Sequence, residues 1–349
     1  METIQIADRV IGGGNPPFII AEIGINHEGS LEKALQLVDA VAEAGADCAK
    51  FQCHITEAEM IPTDMKPGDI SDEKLWDIIK RCELNENEEK KVQRYCAQKG
   101  VIYLCTPFSR EASDRLLEMD VPGFKIGSGE CNNLPLLDHV SKMGKPIILS
   151  TGMNDLASVS RSVELIRKNG CPLMLMHCTS MYPTPHENVR LGAIQEMIAA
   201  FDLPVGLSDH SMGIYTCLGA VALGACALEK HFTVSKAWPG PDISISIDPA
   251  ELKELVTGAR AVYQAAGGQK NILQGEQPVI DFAYASVVTI AKVKAGDTFS
   301  YDNLWVKRPG TGAFSASELD KIIGRRAGCD LPEDHQLTPS DIDERKFRG

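Results

Sequence analysis

Eight short apolar, β-rich runs punctuate this chain, and amphipathic helical stretches lie between them. The runs span 18–23, 46–52, 101–106, 124–127, 146–151, 173–178, 205–207 and 227–231. Ser30 is placed to cap a helix through Ala44, with Leu31, Ala34, Leu35 and Val38 on one face. Helices are predicted near 72–81, over 86–98 and over 249–266. Asn85 and Glu88 open the second of these with a variant of the capping box. Such alternation predicts an α/β fold around a parallel sheet. Closed on itself, it is a (β/α)8 or TIM barrel; left open, it is a doubly wound sheet. No GxGxxG joins the first run to its helix, so dinucleotide binding gains no support.

The ends of the runs carry the functional signal. They close on Glu22; Lys50 and Gln52; Thr106; Lys125 and Ser128; Ser150 and Thr151; His177 and Thr179; Ser208 and His210; Glu229 and His231. In a barrel these ends converge on one face, where active sites lie. One polar strand end is usually a turn or a cap. Eight in register favour an enzyme over a non-catalytic barrel. In the stretch 124–133, Lys125, Ser128 and Glu130 fall within six positions around two glycines. Such a loop presents a cation and a hydroxyl to an anion, and a carboxylate to a proton.

His210 and His231 follow neighbouring strands, where two imidazoles either share a divalent metal or serve as one cap and one packed ring. Lys50 and Lys125, with Ser128, Ser150 and Ser208, form a phosphate or carboxylate cradle or supply a Schiff-base amine; as surface charges they would do neither. Lys50 lies between Ala49 and Phe51 in a buried type of strand, which favours an inward role. Glu22, placed likewise, needs a cation, a metal or a proton. His177 and Cys178 are adjacent on one strand and point to opposite faces, so they do not pair as base and nucleophile.

The net charge of −13 argues against a nucleic-acid backbone as partner. No run approaches the roughly 18 apolar residues of a membrane span, and no signal peptide is read at the N-terminus. Eleven cysteines without a CxxC pair suit reduced thiols in a cytoplasmic protein. The barrel is expected over 1–266, a linker over 267–285 and a compact second domain over 286–349. In that second domain Ser315 and Glu318 form a capping box, and Arg308 lies in a basic loop that otherwise reads as a solvated hairpin.

Several motifs stand together in order. They are Ala21-Glu22-Ile23-Gly24-Ile25-Asn26-His27-Glu28-Gly29-Ser30, Lys125-Ile126-Gly127-Ser128-Gly129-Glu130 and Leu149-Ser150-Thr151-Gly152-Met153. His177-Cys178-Thr179-Ser180-Met181-Tyr182-Pro183, Gly206-Leu207-Ser208-Asp209-His210 and Glu229-Lys230-His231-Phe232-Thr233 follow. This set resembles the sialic acid synthase (N-acetylneuraminate synthase) family, and Asn303-Leu304-Trp305-Val306-Lys307-Arg308-Pro309-Gly310 is similar to its antifreeze-like (SAF) domain. The resemblance implies a barrel that condenses phosphoenolpyruvate with N-acetylmannosamine or a related N-acylated mannosamine, releasing phosphate and a nine-carbon 2-keto acid. It implies that His210 and His231 hold a divalent metal, most often Mn2+, with Mg2+ or Co2+ as alternatives. Lys50, Thr106, Lys125, Ser128, Ser150, Ser180 and Ser208 fall at the phosphoenolpyruvate site. Glu22, Gln52, Tyr182 and Asp242 face the sugar, and Glu130 handles the attacking water. It further implies a homodimer with swapped small domains, in which Arg308 reaches the partner's sugar. Two features depart from the family pattern: Ser180 stands where close bacterial relatives often carry Asn, and Ile243 where many carry His. The segment 54–74 matches poorly and receives no site residue. A legionaminic-type synthase, a pyruvate aldolase and an ice- or glycan-binding protein are the rival expectations.

Overall fold

The computed structural model describes residues 2–68 and 71–343. The chain divides into two compact units, Met1–Gly267 and Gly268–Gly349. The first opens with an antiparallel hairpin of β1 (Thr3–Ile6) and β2 (Arg9–Gly12). Then follow β3 (Phe18–Gly24), α1 (Leu31–Ala44), β4 (Cys48–Cys53), α2 (Thr56–Glu59), α3 (Leu75–Cys82), α4 (Glu86–Lys99), β5 (Ile102–Pro107) and α5 (Arg110–Glu118). Next are β6 (Phe124–Ile126), α6 (Leu134–Ser141), β7 (Ile147–Ser150), α7 (Leu156–Lys168), β8 (Leu173–Cys178), α8 (Gly192–Phe201), β9 (Val205–Asp209), α9 (Tyr215–Ala222), β10 (Ala227–His231) and α10 (Pro249–Ala265).

Strands β3 to β10 form one parallel sheet of eight in the order β5-β4-β3-β10-β9-β8-β7-β6. Each strand neighbours the next in sequence, and the first pairs with the last, Glu22 opposite His231. The two ends of that order, β5 and β6, lie side by side, so the sheet wraps into a TIM barrel. A doubly wound sheet would reverse its order part-way, and this one does not.

Strand alternation explains both layers of the core. Outward Ile19, Ala21 and Ile23 pack with Leu37, Val38 and Val41 of α1 in the shell between sheet and helices. Each large side chain buried there stabilises the fold by roughly 1.5–3 kcal/mol. Ser30 caps α1 by accepting from Lys33 N, and Gly45 ends it at φ 77°, a left-handed turn that suits glycine. Inward Phe18, Ile20, Cys48, Leu104, Ile148, Met174 and Met176 fill the axis. Ile4, Ile6 and Ile11 of the hairpin join them and plug the N-terminal end. The axis is too crowded for a side chain at position 206, where an added Cβ would stand 2.5 Å from Met176 Sδ and 2.7 Å from Ala227 O. Two residues beyond Ile20, Cys48, Leu104 and Ile148, the inward rows turn polar at Glu22, Lys50, Thr106 and Ser150.

The second unit contains α11 (Gln277–Ala283), the antiparallel pair β11 (Ser286–Thr289) and β12 (Leu304–Lys307), and α12 (Leu319–Ile322). Its own core joins Val287, Val293, Phe299, Leu304, Ile322, Leu331 and Leu337. The Ser315–Glu318 capping box opens the 3-10 turn leading into α12. Part of the stretch expected as a linker is helical: α11 covers Gln277–Ala283, and Gly310 N donates to Asp281 O at 2.7 Å. The helix predicted near 72 starts at Leu75, with no side-chain cap at Lys74. All eleven cysteines are unbridged, ten buried and Cys329 exposed. No helix among the described residues is long and apolar enough to cross a membrane.

Candidate active site

A cavity of about 590 Å³ opens at the C-terminal ends of the barrel strands. The inward alternation that places Phe18, Cys48, Leu104 and Ile148 on the axis brings Glu22, Lys50, Gln52, Thr106, Lys125, Ser150, Ser208, Glu229 and His231 into it. Ser128, Ser180, Tyr182, His210 and Asp242 join from the loops beyond.

The two lysines occupy the deep end, 3% and 2% exposed for Lys50 and Lys125. Lys50 Nζ lies 2.6 Å from Glu22 Oε2 and 3.7 Å from Glu229 Oε2, and donates to Thr106 Oγ1 at 3.2 Å. Lys125 Nζ donates to Ser150 Oγ at 2.7 Å and lies 3.5 Å from Glu229 Oε1, which also accepts from Ser208 Oγ at 2.9 Å. Burial works against the charge on Lys50, but Glu22 and Glu229 outweigh it and hold the ammonium above its usual range. Burial prevails at Lys125, which Glu229 offsets only in part, so its ammonium falls below the usual lysine range. The same contest raises Glu22: burial and the repulsion of Glu229 exceed the attraction of Lys50. Glu229, between two cations, is held below the ordinary carboxylate range despite its burial. Ser128 Oγ accepts from Gly152 N at 2.9 Å. A Cβ on residue 152 would collide with the hydroxyls of Ser128 and Ser180, so glycine keeps this cradle open.

On the other side stand the two histidines, ring centroids 5.4 Å apart, with Tyr182 stacked on His210 at 4.1 Å. His210 Nδ1 donates to Thr179 O at 2.9 Å, which commits that nitrogen and leaves Nε2 as a lone pair. His231 Nδ1 is buried without a hydrogen-bond partner and lies 3.6 Å from Asp242 Oδ2. Burial raises the Asp242 carboxyl to about 6. Among the described residues, no group of three or more His, Cys, Asp or Glu side chains is arranged to hold a metal. The imidazole pair fits a divalent ion whose remaining positions are filled by water or substrate, the open pattern of catalytic metals.

Of the residues expected at the site, thirteen line the cavity. Glu130 does not. Its 3-10 turn directs the carboxylate to Asn133 Nδ2 at 2.5 Å, away from the lysines. Arg308 is an exposed residue of the second unit. Three strand-end residues also turn away: Thr151 donates to Met176 O, His177 bonds Val189 O at 2.7 Å and Thr179 donates to Asn188 O. Four cavity residues with polar or thiol side chains were not read as site residues: Glu229, Cys178, His54 and Glu59. His54 was legible as the next inward step after Cys48, Lys50 and Gln52. Cys178 lies 3.8 Å from His210 Nδ1, a neighbour its own strand could not reveal. An apolar wall of Ile25, Met60, Leu75, Ile78 and Ile79 completes the mouth.

A model of the NeuB family matches residues 37–271. The chain belongs to the NeuB family. A SAF-domain model matches 284–343, the core of the second unit. Among relatives of this NeuB-family chain, the N,N'-diacetyllegionaminic acid synthase of Campylobacter jejuni is 40% identical over 91% of this chain and 98% of its own. The N-acetylneuraminate-9-phosphate synthase of Homo sapiens is 34% identical over 96% and 95%. A crystal structure of N-acetylneuraminic acid (sialic acid) synthetase from Leptospira borgpetersenii in complex with citrate matches with a TM-score of 0.73 and 34% identity. It covers 80% of this chain and 95% of that one.

Proposed function

We propose that this NeuB-family chain joins phosphoenolpyruvate to the open-chain aldehyde of an N-acylated mannosamine, giving a nine-carbon 2-keto acid and phosphate. One observation carries the proposal: two almost wholly buried lysines face a row of hydroxyls at one end of a cavity that has two imidazoles on its other side. Buried cations in such a setting favour a multiply charged anion over water. Lys50 and Lys125 hold the phosphate and carboxylate, with Thr106, Ser128, Ser150, Ser180 and Ser208 completing the cradle. Glu22, Gln52, Tyr182 and Asp242 receive the sugar.

The enol carbon C3 bonds to the aldehyde carbon, and positive charge develops at C2. Glu229, between the two lysines, offsets that charge as water adds to C2; it takes the place expected for Glu130. The C2–O bond then breaks, so phosphate leaves with the bridging oxygen. Glu22, ion-paired with Lys50 and hydrogen-bonded by Gln52, orients the aldehyde, and the new alkoxide takes the proton that the water adding to C2 gives up. A divalent ion on His210 and His231, Mn2+ as first choice and Mg2+ or Co2+ as alternatives, supplies Lewis-acid polarisation of the aldehyde.

The test is phosphate release from phosphoenolpyruvate labelled in its bridging oxygen, with a panel of N-acyl mannosamines. Label in the phosphate is expected. A product formed from pyruvate without phosphate would show an aldolase instead.

N-acetylmannosamine, giving N-acetylneuraminate, is the first acceptor to try. The wall of Ile25, Leu75, Ile78 and Ile79 favours a second, a 2,4-diacetamido-trideoxy sugar with a methyl group in place of a hydroxymethyl. The legionaminic acid synthase relatives, 40% and 36% identical, support the same choice. We further propose a cytoplasmic homodimer in which Arg308 of one copy reaches the acyl group in the other. Mixing Arg308→Ala with Lys125→Ala chains then restores activity to one site per mixed dimer. No recovery after proven subunit exchange would rule that out.

A further inference from the structure

His54 stands beside the sugar end of the cavity, bonded on both of its nitrogens. Nδ1 lies 3.0 Å from each carboxylate oxygen of Glu59, and Nε2 lies 3.0 Å from Gln52 Oε1. The ring stacks on Phe108 at 4.6 Å with 11° between the planes, so it is fixed in tilt as well as in place. Gln52 Nε2 in turn donates to Glu22 Oε1 at 2.9 Å, and Glu22 meets Lys50 at 2.6 Å. Glu59, His54, Gln52, Glu22 and Lys50 thus form one unbroken row.

We propose that His54, braced by Glu59, is a positioning residue that fixes which way the Gln52 amide faces. The inference rests on the proposal that Gln52 and Glu22 meet the sugar. Hydrogen counting carries it. A side-chain amide has one end that only accepts and one that only donates. Glu22 needs the donating end while it is ionised, which turns Oε1 towards His54. Nε2 of His54 must then carry a hydrogen, and the Glu59 carboxylate demands another on Nδ1. The ring meets both demands by donating from each nitrogen. With the amide held this way, one N–H serves Glu22, and no described protein group takes the second, which is left for a sugar oxygen. The setting is also tight: a Cβ on residue 24 would stand 3.3 Å from both Gln52 Nε2 and Glu22 Oε1. Without the donor on His54 the amide is free to turn over. Its carbonyl then opposes the Glu22 carboxylate, and the N–H meant for the sugar is gone.

Four metal-loaded variants test this with N-acetylmannosamine and the 2,4-diacetamido-trideoxy sugar. His54→Phe keeps the stack on Phe108 and removes both donors. We expect it to raise the half-saturating sugar concentration about 10- to 100-fold while moving that of phosphoenolpyruvate less than about twofold. His54→Gln restores one donor towards Gln52 and should recover much of the loss. Gln52→Leu should match His54→Phe, and the double variant should be no worse than Gln52→Leu alone, because His54 acts through Gln52. Thermal protection by phosphoenolpyruvate shows that each variant is folded. Additive losses in the double variant, or equal changes for both substrates in His54→Phe, overturn the positioning role. If Gln52→Leu weakens sugar use and His54→Phe does not, the inference alone falls. If Gln52→Leu leaves sugar saturation unchanged, the sugar end has been misplaced and the inference falls with it.

Discussion

Lys125 donates to Ser150 and faces Glu229 from a position with almost no solvent contact. Lys125→Met should therefore weaken phosphoenolpyruvate far more than sugar. A charge-assisted contact is worth about 1.5–3 kcal/mol, roughly 10- to 150-fold in half-saturation. Steady-state kinetics with each substrate varied in turn will check it, and equal effects would move Lys125 out of the cradle. One titration lies outside the chemistry. Burial lowers the His27 imidazole from 6.5 to about 4, and its Nε2 has no hydrogen-bond partner. Between those values the unfolded chain binds the proton and the folded chain does not, so stability is lost as pH falls from 6.5 towards 4. From pH 7 to pH 5 this single group should remove about 2 kcal/mol. Urea unfolding of His27→Gln should show a correspondingly smaller drop over that range. An identical drop would mean that His27 is solvated. At this scale the site was largely legible, because alternation along a strand is a local rule. The contacts of Cys178 with His210 and of Glu130 with Asn133 depend on loop paths that alternation does not set.

The strands β9 and β10 carry Ser208, Glu229 and His231 inward, His210 follows β9 directly, and what locks the two strands together lies on their outward side. Lys230 Nζ meets Asp209 Oδ2 at 2.6 Å, with both side chains at 1% exposure or less. Asp209 also accepts from Ser211 N at 3.0 Å and from Thr216 Oγ1 at 2.8 Å. Lys230→Met leaves that carboxylate buried without its cation, which should lower stability by about 3–5 kcal/mol. Adding Asp209→Asn should recover part of the loss. Chemical denaturation of the three chains checks it, and a single variant as stable as wild type would contradict the pairing. Among the elements, α1 and α4 were readable because their caps are local: Ser30 binds Lys33 N, and Asn85 with Glu88 closes a full capping box. The hairpin β1–β2 went unread because its purpose is tertiary; Ile4, Ile6 and Ile11 make sense only once a barrel exists for them to plug. Helix α11 went unread for another reason: at seven residues it is too short to establish a period.

At the scale of the whole molecule, each unit has a separate apolar core, one around the barrel and one joining Val287, Phe299 and Leu337. The barrel was expected to end at 266, and the two units divide after Gly267. The distribution of sulfur then has a practical consequence. Nine thiols are sealed within the protein, Cys178 lines the cavity, and Cys329 is open to water. A maleimide dye too bulky to enter that cavity should attach to the native protein once, in the second unit, with no engineered handle. Denaturation should expose eleven sites. Intact mass after a short labelling pulse then counts unfolded molecules directly, and two or more dyes on the native protein would show that the sealed thiols are open. A single fluorophore placed by nature on the smaller unit is a ready reporter for light-based measurements of how that unit tumbles.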